Sequence, residues 1–385
     1  MDFTGAYIFN LANIYVIKTI NKYSLMNNLF VCHTQANLLL ACALAKGRLC
    51  SDENHLILFE DFKASQELRI VLEQTFSKVL YRTGTFLVAN KTWKAKLNRY
   101  PNDLNAIKSF MDTEYDNVFE VCDDCIPELY ILKRAFKKNK NVDFAWLEDG
   151  SFPYFRNTIN VSGFSTNSAT RFIRQIVFKY LLGFGMFYDF EGLFMGSNRI
   201  LKKAYLTFPD KQRSLYASKE IIGITDEEFK KGMTTLYPPQ KENRLESGDV
   251  LLVLDKLDVY KDVKKIKSAI SELVENFQQQ GLNIYYKYHP REESQIEELK
   301  SCKEIPRFTG VENIYSASQG NNILIIGVKS TGLQNAIKMG FKVISIANVV
   351  DERDSDVFSF YSKIGVNIIN SYENLNNILQ SWQPL

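Results

Sequence analysis

The chain lacks most of the features that fix a function by themselves. Its six cysteines, Cys32, Cys42, Cys50, Cys122, Cys125 and Cys302, show no disulfide-framework spacing. At 385 residues the chain needs no covalent staples to hold a core, and the cysteine usage points to a reduced, cytosolic compartment. No run reaches the ~18 apolar residues that cross a bilayer. The fairly apolar stretch Phe3–Ile17 is interrupted by Asn10 and Asn13, and it lacks the basic start and small-residue cleavage site of a secretory leader. Charge of one sign is also missing: 47 Lys and Arg against 44 Asp and Glu leave a net +3, so no nucleic-acid partner is implied. No internal repeat is visible. Histidine is scarce, with only His33, His55 and His289, so each can be weighed on its own.

What is present suits a soluble globular chain, 45% hydrophobic and 24% charged, long enough for two domains. Phe (27) and Tyr (20) are abundant. Most must be core, but the tyrosine excess also suits a wide cleft that stacks against rings and sugar faces.

Strand-like apolar runs alternate with helical periodicity. Residues 28–32 read as a buried strand followed by a helix over 35–45. Further strands are expected at 55–59, 78–81, 117–121 and 142–147, with helices near 65–76, 91–113 and 127–138. From about 205 to 246 the periodicity lapses, and Pro209, Pro238-Pro239 and the polar run 240–244 look like a connection. Alternation restarts with strands at 250–254, 282–288, 322–326, 343–346 and 366–369, and helices at 263–279, 333–339, 355–364 and 372–381. This order predicts an α/β fold of two Rossmann-like, doubly wound domains facing a central cleft. The expected boundaries are 1–205, a connection over 206–246, and 247–385.

Two short segments carry the chemistry. Glu148-Asp149-Gly150-Ser151 and His289-Pro290-Arg291 each follow an apolar strand and lie about one domain's length apart. Residues just past the carboxyl ends of strands face the ligand crevice in such folds. A carboxylate from one half and an imidazole from the other, meeting across a cleft, suit acid/base transfer. Asp149 before a glycine can project and take a proton; a turn or helix-cap aspartate is the plain alternative. Pro290 pushes His289 towards extended backbone, and Arg291 adds a cation beside it, a pair suited to a phosphate leaving group. A turn is the plain reading of an isolated His-Pro.

Gly327-Val328-Lys329-Ser330-Thr331-Gly332 opens from a strand into a helix, where hydroxyls and backbone N–H groups form an anion site. An ordinary N-cap pair is compatible with that role, and the P-loop pattern is absent. Glu312 could take ribose hydroxyls or simply lie on the surface. His33, Thr34 and Gln35 end the first strand and could touch donor or acceptor; a structural His33 is equally consistent. His55 is read as structural. Cys122-Asp123-Asp124-Cys125 has no second pair and no histidine near it in sequence, so no zinc or redox role is expected. Asp354-Ser355-Asp356 could hold Mg²⁺ on a diphosphate but reads as a solvated loop, so no metal is assigned.

In these residues the chain resembles the bacterial GT-B sialyltransferases, the group of lipooligosaccharide sialyltransferases and polysialyltransferases. Those enzymes carry a D/E-D/E-G motif in the first half, an HP motif in the second and a Ser/Thr pair later. Here these read Glu148-Asp149-Gly150, His289-Pro290 and Ser330-Thr331. The opening 28–34 is similar to the first strand and loop of the lipooligosaccharide enzymes. The likeness covers 28 to about 340 in motifs two to four residues long, and Thr331 stands where some members have a second Ser.

The resemblance implies a GT-B fold whose first half carries the acceptor side and general base, and whose second half binds the CMP-sugar. It implies transfer from CMP-sialic acid to a glycan acceptor of a bacterial lipooligosaccharide or capsule, with inversion, no cofactor and no metal. Asp149 would be the base and His289 would serve the departing CMP phosphate. Ser330 and Thr331 would bind that phosphate and Glu312 the ribose, while Ser151 would lie near the donor sugar. A capsular polysialyltransferase is the alternative, with a basic groove formed by Arg171, Arg174, Lys179, Arg199, Lys202 and Lys203. A glycan-binding protein on a degenerate transferase fold would not need Asp149 and His289 together. Segment 168–183, which alternates cations with large apolar residues, suits either a helix packed on its own domain or peripheral association with the inner face of the cytoplasmic membrane.

Overall fold

The computed structural model describes residues 25–84, 92–122, 125–151, 153–154, 172–173, 175–188, 195–352 and 354–382. Phe3–Ile17, Arg171 and Arg174 lie outside the described residues.

The first half runs β1 (Asn27–Cys32), α1 (Gln35–Lys46), β2 (Glu53–Glu60), α2 (Gln66–Thr75), β3 (Lys78–Thr83), α3 (Trp93–Phe110), β4 (Asn117–Glu120), α4 (Ile126–Lys138), β5 (Asp143–Leu147), β6 (Lys203–Leu206) and β7 (Glu220–Gly223). All seven strands pair in parallel in the order β3-β2-β1-β4-β5-β6-β7. The inner strands are apolar on both faces because helices cover both, as parallel sheets require. Helix α5 (Asp226–Leu236) follows β7.

The second half runs β8 (Val250–Val253), α6 (Val263–Gln279), β9 (Ile284–Lys287), β10 (Lys303–Glu304), α7 (Val311–Ala317), β11 (Leu324–Gly327), α8 (Gly332–Met339), β12 (Lys342–Ser345), α9 (Ser355–Ile364), β13 (Asn367–Ile368) and α10 (Tyr372–Ser381). Its parallel order is β10-β9-β8-β11-β12-β13. Helix α6 shows why the chain folds this way locally. Asp262 caps it by accepting from the Lys265 N–H, and Ile266, Ile270, Leu273 and Phe277 recur on one buried stripe.

The expected connection over 206–246 is largely structure. Strand β7 and helix α5 lie within it, and β7 pairs with β6 to complete the first sheet. Both strands are short, and they begin at Lys203 and Glu220, so their apolar signal is weak. The first half thus extends well beyond residue 205.

Each sheet reverses its winding once, at β1/β4 and at β8/β11, and ligands bind outside the carboxyl ends of strands at such switch points. Among the described residues three large cores and one small cluster, around Leu129 and Phe178, hold the molecule. One large core lies on the outer face of each sheet. The third is shared: Phe30, Leu56 and Leu147 of the first half join one cluster with Leu251, Ile325 and Val343 of the second, bridged by Phe229 and Met233 of α5. Across the same seam Tyr154 stacks on Phe360, with ring centres 4.7 Å apart and planes 10° from parallel.

Candidate active site

The carboxyl end of β5 delivers Glu148 and Asp149, and their environments differ sharply. Glu148 is buried and takes three donors: the Tyr154 hydroxyl, the Thr207 N–H at 2.6 Å and the Thr207 hydroxyl at 2.7 Å. Burial pushes its carboxyl up to about 7, even though these donors pull the other way. Asp149 is half-buried, and the next residue, Gly150, has φ +56°, the left-handed region that lets the chain turn away there. Asp149 Oδ1 accepts from Asn37 Nδ2 at 2.9 Å and from the Thr34 hydroxyl at 3.5 Å. Burial raises its pKa; the Asn37 bond and the charge of His33 act against that. Its Oδ2 has no hydrogen-bond partner of its own among the described residues.

Asn37 is the residue that sequence reasoning missed. It is fully buried at the third position of α1, and its Oδ1 accepts from the backbone N–H groups of His33 and Thr34. Its Nδ2 spans to Asp149 and the Glu148 carbonyl. The side chain therefore couples the ends of β1 and β5, and the only local signal was its place three residues after the capping Thr34.

His33 is no ligand contact. Its ring is 2% exposed, with Nδ1 3.0 Å from Asp61 and Nε2 2.9 Å from Glu128. Burial alone would lower its pKa, but the two carboxylates outweigh it and hold the imidazole up to about 9. It is a buried cation whose charge acts on Asp149. His55 is structural as expected, bonded to the Tyr115 hydroxyl at 2.9 Å.

In the second half β9, β8 and β11 are neighbours, so His289, Asp255 and Lys329-Ser330 form a row at their carboxyl ends. His289 is half-buried, and its Nδ1 accepts from the Arg291 N–H at 3.1 Å. The neutral ring therefore carries its proton on Nε2. Pro290 and Arg291 are exposed. Asp255, also unforeseen, accepts from the Tyr260 hydroxyl at 2.5 Å and from the Lys329 N–H at 3.2 Å. Burial raises its pKa, while Tyr260, Lys329 and His289 act against that.

A cleft of about 320 Å³ opens between the halves. Thr34, Gln35, Glu148, Gly150 and Thr207 line it from one side, and Glu312, Thr331, Gln334 and Asn335 from the other. Glu312 accepts from Asn335 at 3.2 Å, and burial raises its pKa. Ser330 caps the first turn of α8 through its Oγ on the Gly332 N–H, and its carbonyl takes the Tyr361 hydroxyl. Ser151 is half-buried, its carbonyl accepting from the Tyr154 N–H.

Two expected contacts make other interactions. Gly327 lies inside β11, where a Cβ would come within 2.8 Å of the Val253 carbonyl, so its smallness serves strand packing. The Lys329 ammonium pairs with Glu352 at 3.1 Å. Asp354, read from the sequence as part of a solvated loop, caps α9 through the Val357 N–H.

The structure is similar to a UDP-GlcNAc 2-epimerase from Methanocaldococcus jannaschii, with a TM-score of 0.53, 14% identity and 92% of each chain covered. A second UDP-N-acetylglucosamine 2-epimerase gives a TM-score of 0.50 at 13% identity, over 93% of this chain and 87% of that one. At such identities the likeness is one of fold, two parallel-sheet halves in the GT-B arrangement. No curated protein matches by sequence. The family model for alpha-2,8-polysialyltransferase (POLYST) matches residues 14–339, most of the chain and both halves of the cleft. The chain therefore belongs to the alpha-2,8-polysialyltransferase family and is a glycosyltransferase of the sialyltransferase type.

Proposed function

We propose that the protein transfers sialic acid from CMP-sialic acid to a glycan hydroxyl with inversion. The observation that carries this is Asp149: a carboxylate between the cleft-lining residues Glu148 and Gly150, aligned by Asn37, raised by burial towards useful basicity, with one oxygen left for an acceptor. The acceptor oxygen bonds to the anomeric carbon as the bond to the CMP phosphate breaks, and Asp149 takes the hydroxyl proton. On the far side Nε2–H of His289 donates to the departing phosphate, and the Ser330 and Thr331 hydroxyls supply further donors. Glu312 is placed to take ribose hydroxyls. A monophosphate served by these groups needs no metal and no cofactor. Closing the halves would exclude water and limit hydrolysis of the donor.

The match to the family favours elongation of oligosialic acid, ahead of the single addition to a lipooligosaccharide that the opening strand and loop point to. Of the six cations read as a groove for a polyanion, Arg171 and Arg174 fall outside the described residues, and Lys203 pairs with Asp143 at 2.6 Å, which leaves Lys179, Arg199 and Lys202 as its described candidates. Peripheral membrane association at the cytoplasmic face is supported by the exposed Phe172, Ile173, Ile176, Tyr180 and Leu181 beside Lys179. Among the described residues no helix is long and apolar enough to cross a membrane.

The test is transfer from CMP-sialic acid to a lactoside and to oligosialic acid, with linkage analysis of the products. A product ladder on oligosialic acid supports the polymerising reading, and one added residue on the lactoside supports the other. No transfer to either acceptor removes both. Loss of activity on brief EDTA treatment that Mg²⁺ restores would overturn the metal-free phosphate site.

A further inference from the structure

The carboxyl end of β4 holds a cluster that the transfer chemistry does not use. Cys122 follows the strand, Cys125 caps α4, and Glu128 occupies the first turn of that helix. The thiol sulfurs lie 3.2 Å apart, and each sulfur and a Glu128 oxygen are within 4.8 Å of one another. Cys122 is 1% exposed and Glu128 0% exposed. Glu128 Oε1 faces His33, but Oε2 is buried and takes no hydrogen bond among the described residues. Glu128 thus has a charge partner for one oxygen, and the second, buried oxygen is left for another.

From this geometry we infer that Cys122, Cys125 and Glu128 form a binding site for a thiophilic divalent cation of the Zn²⁺ class. Two thiolates and one carboxylate are a zinc donor set, and three protein ligands leave a fourth position for water. Magnitudes favour this over a disulfide. A metal about 2.3 Å from each sulfur would spread the pair to roughly 3.7 Å, a movement of about half an ångström. A disulfide would have to close it to about 2.05 Å, more than twice as far, and would leave Glu128 unexplained. The C-x-x-C is thus assigned a role that its sequence surroundings did not show, because the third ligand stands three residues further on, inside the helix.

The position gives the cation a structural purpose. Strand β4 lies between β1, which ends in His33, and β5, which ends in Glu148-Asp149. A metal at its carboxyl end ties that strand to the start of α4 beneath the base, away from the donor phosphate in the other half. Binding displaces two thiol protons, so affinity should rise with pH.

Cobalt(II), which reports thiolate ligation optically, tests this on the reduced full-length chain. The expected result is about one cobalt per chain with a near-ultraviolet thiolate-to-cobalt band, displaced by Zn²⁺. The band should vanish in Cys125→Ser, and Glu128→Gln should weaken binding at least about tenfold, both variants keeping the wild-type circular dichroism. The wild-type titration stands without any variant. A folded wild type that gives no band overturns the site. So does a band that survives Cys125→Ser, or a Cys122–Cys125 disulfide found by mass in freshly purified chain.

Discussion

The two rims of the cleft are built to different standards. In the first half the carboxylate proposed as the base sits on a dense polar scaffold: Asn37 bonds Asp149, His33 lies between Asp61 and Glu128, and Glu148 is held by Tyr154 and Thr207. In the second half the His289 ring is held by one hydrogen bond among the described residues, from the Arg291 N–H, and its neighbours Pro290 and Arg291 face solvent. The difference teaches where preorganisation is needed. A base must be aimed at a neutral hydroxyl that brings little orienting charge of its own, so the protein fixes it beforehand. A phosphate carries its own charge and can gather loose donors around itself when it arrives.

The sharpest way to break that contrast is Asp149→Asn. Donor affinity should hold while transfer falls about 10²–10⁴-fold, the range for a lost general base; near-normal turnover in a product assay would remove Asp149 from the chemistry. Asn37→Ala comes next. It should lower kcat with little change in donor KM, by about tenfold, since one aligning hydrogen bond of roughly 1–1.5 kcal/mol is lost. Because the Asn37 bond lowers the Asp149 pKa, the acid limb of the rate profile should also move to higher pH. An unmoved limb would leave Asn37 a merely structural residue.

The scaffold also predicts how stability responds to pH. Glu148 and His33 both titrate higher in the folded protein than in the unfolded chain, at about 7 against 4.5 and about 9 against 6.5. Each contribution is complete below the unfolded value and is lost as pH rises through the folded one. Tm should therefore fall across that whole span, and His33→Gln should flatten its upper part; a Tm that climbs towards pH 9 contradicts the buried-cation assignment. The smallest effect concerns the other rim. Asp354→Ala should cost about 1 kcal/mol, as lost helix caps do, and leave transfer unchanged. A variant that turns over more slowly and recovers with Mg²⁺ would return Asp354 to the site.

Much of this was legible in the sequence, for identifiable reasons. The strands that end in Asp149 and His289 are apolar and follow regular helices, so their alternation declared both the fold and the two rims. Strands β6 and β7 were not legible, because four residues starting with a lysine or a glutamate leave too little pattern to read. The partners of Asp149 were hidden for another reason. Asn37 lies 112 residues away along the chain, and no local rule pairs an asparagine with a carboxylate at that distance. Asp255 reaches the row beside His289 only because β8 separates β9 from β11 in the folded sheet.

The Tyr154–Phe360 stack has a mechanical side. The Tyr154 hydroxyl bonds Glu148 in one half, while its ring lies flat on Phe360 of α9 in the other. Any hinge motion that carries α9 away must slide or part those rings, against an attraction of about 0.5–1.5 kcal/mol beyond their burial. The same motion tugs on the hydroxyl that helps seat the carboxyl next to the base. The ring thus ties α9 of the second half to the wall that carries Glu148, so a change in the gape of the cleft would act on the seating of Glu148.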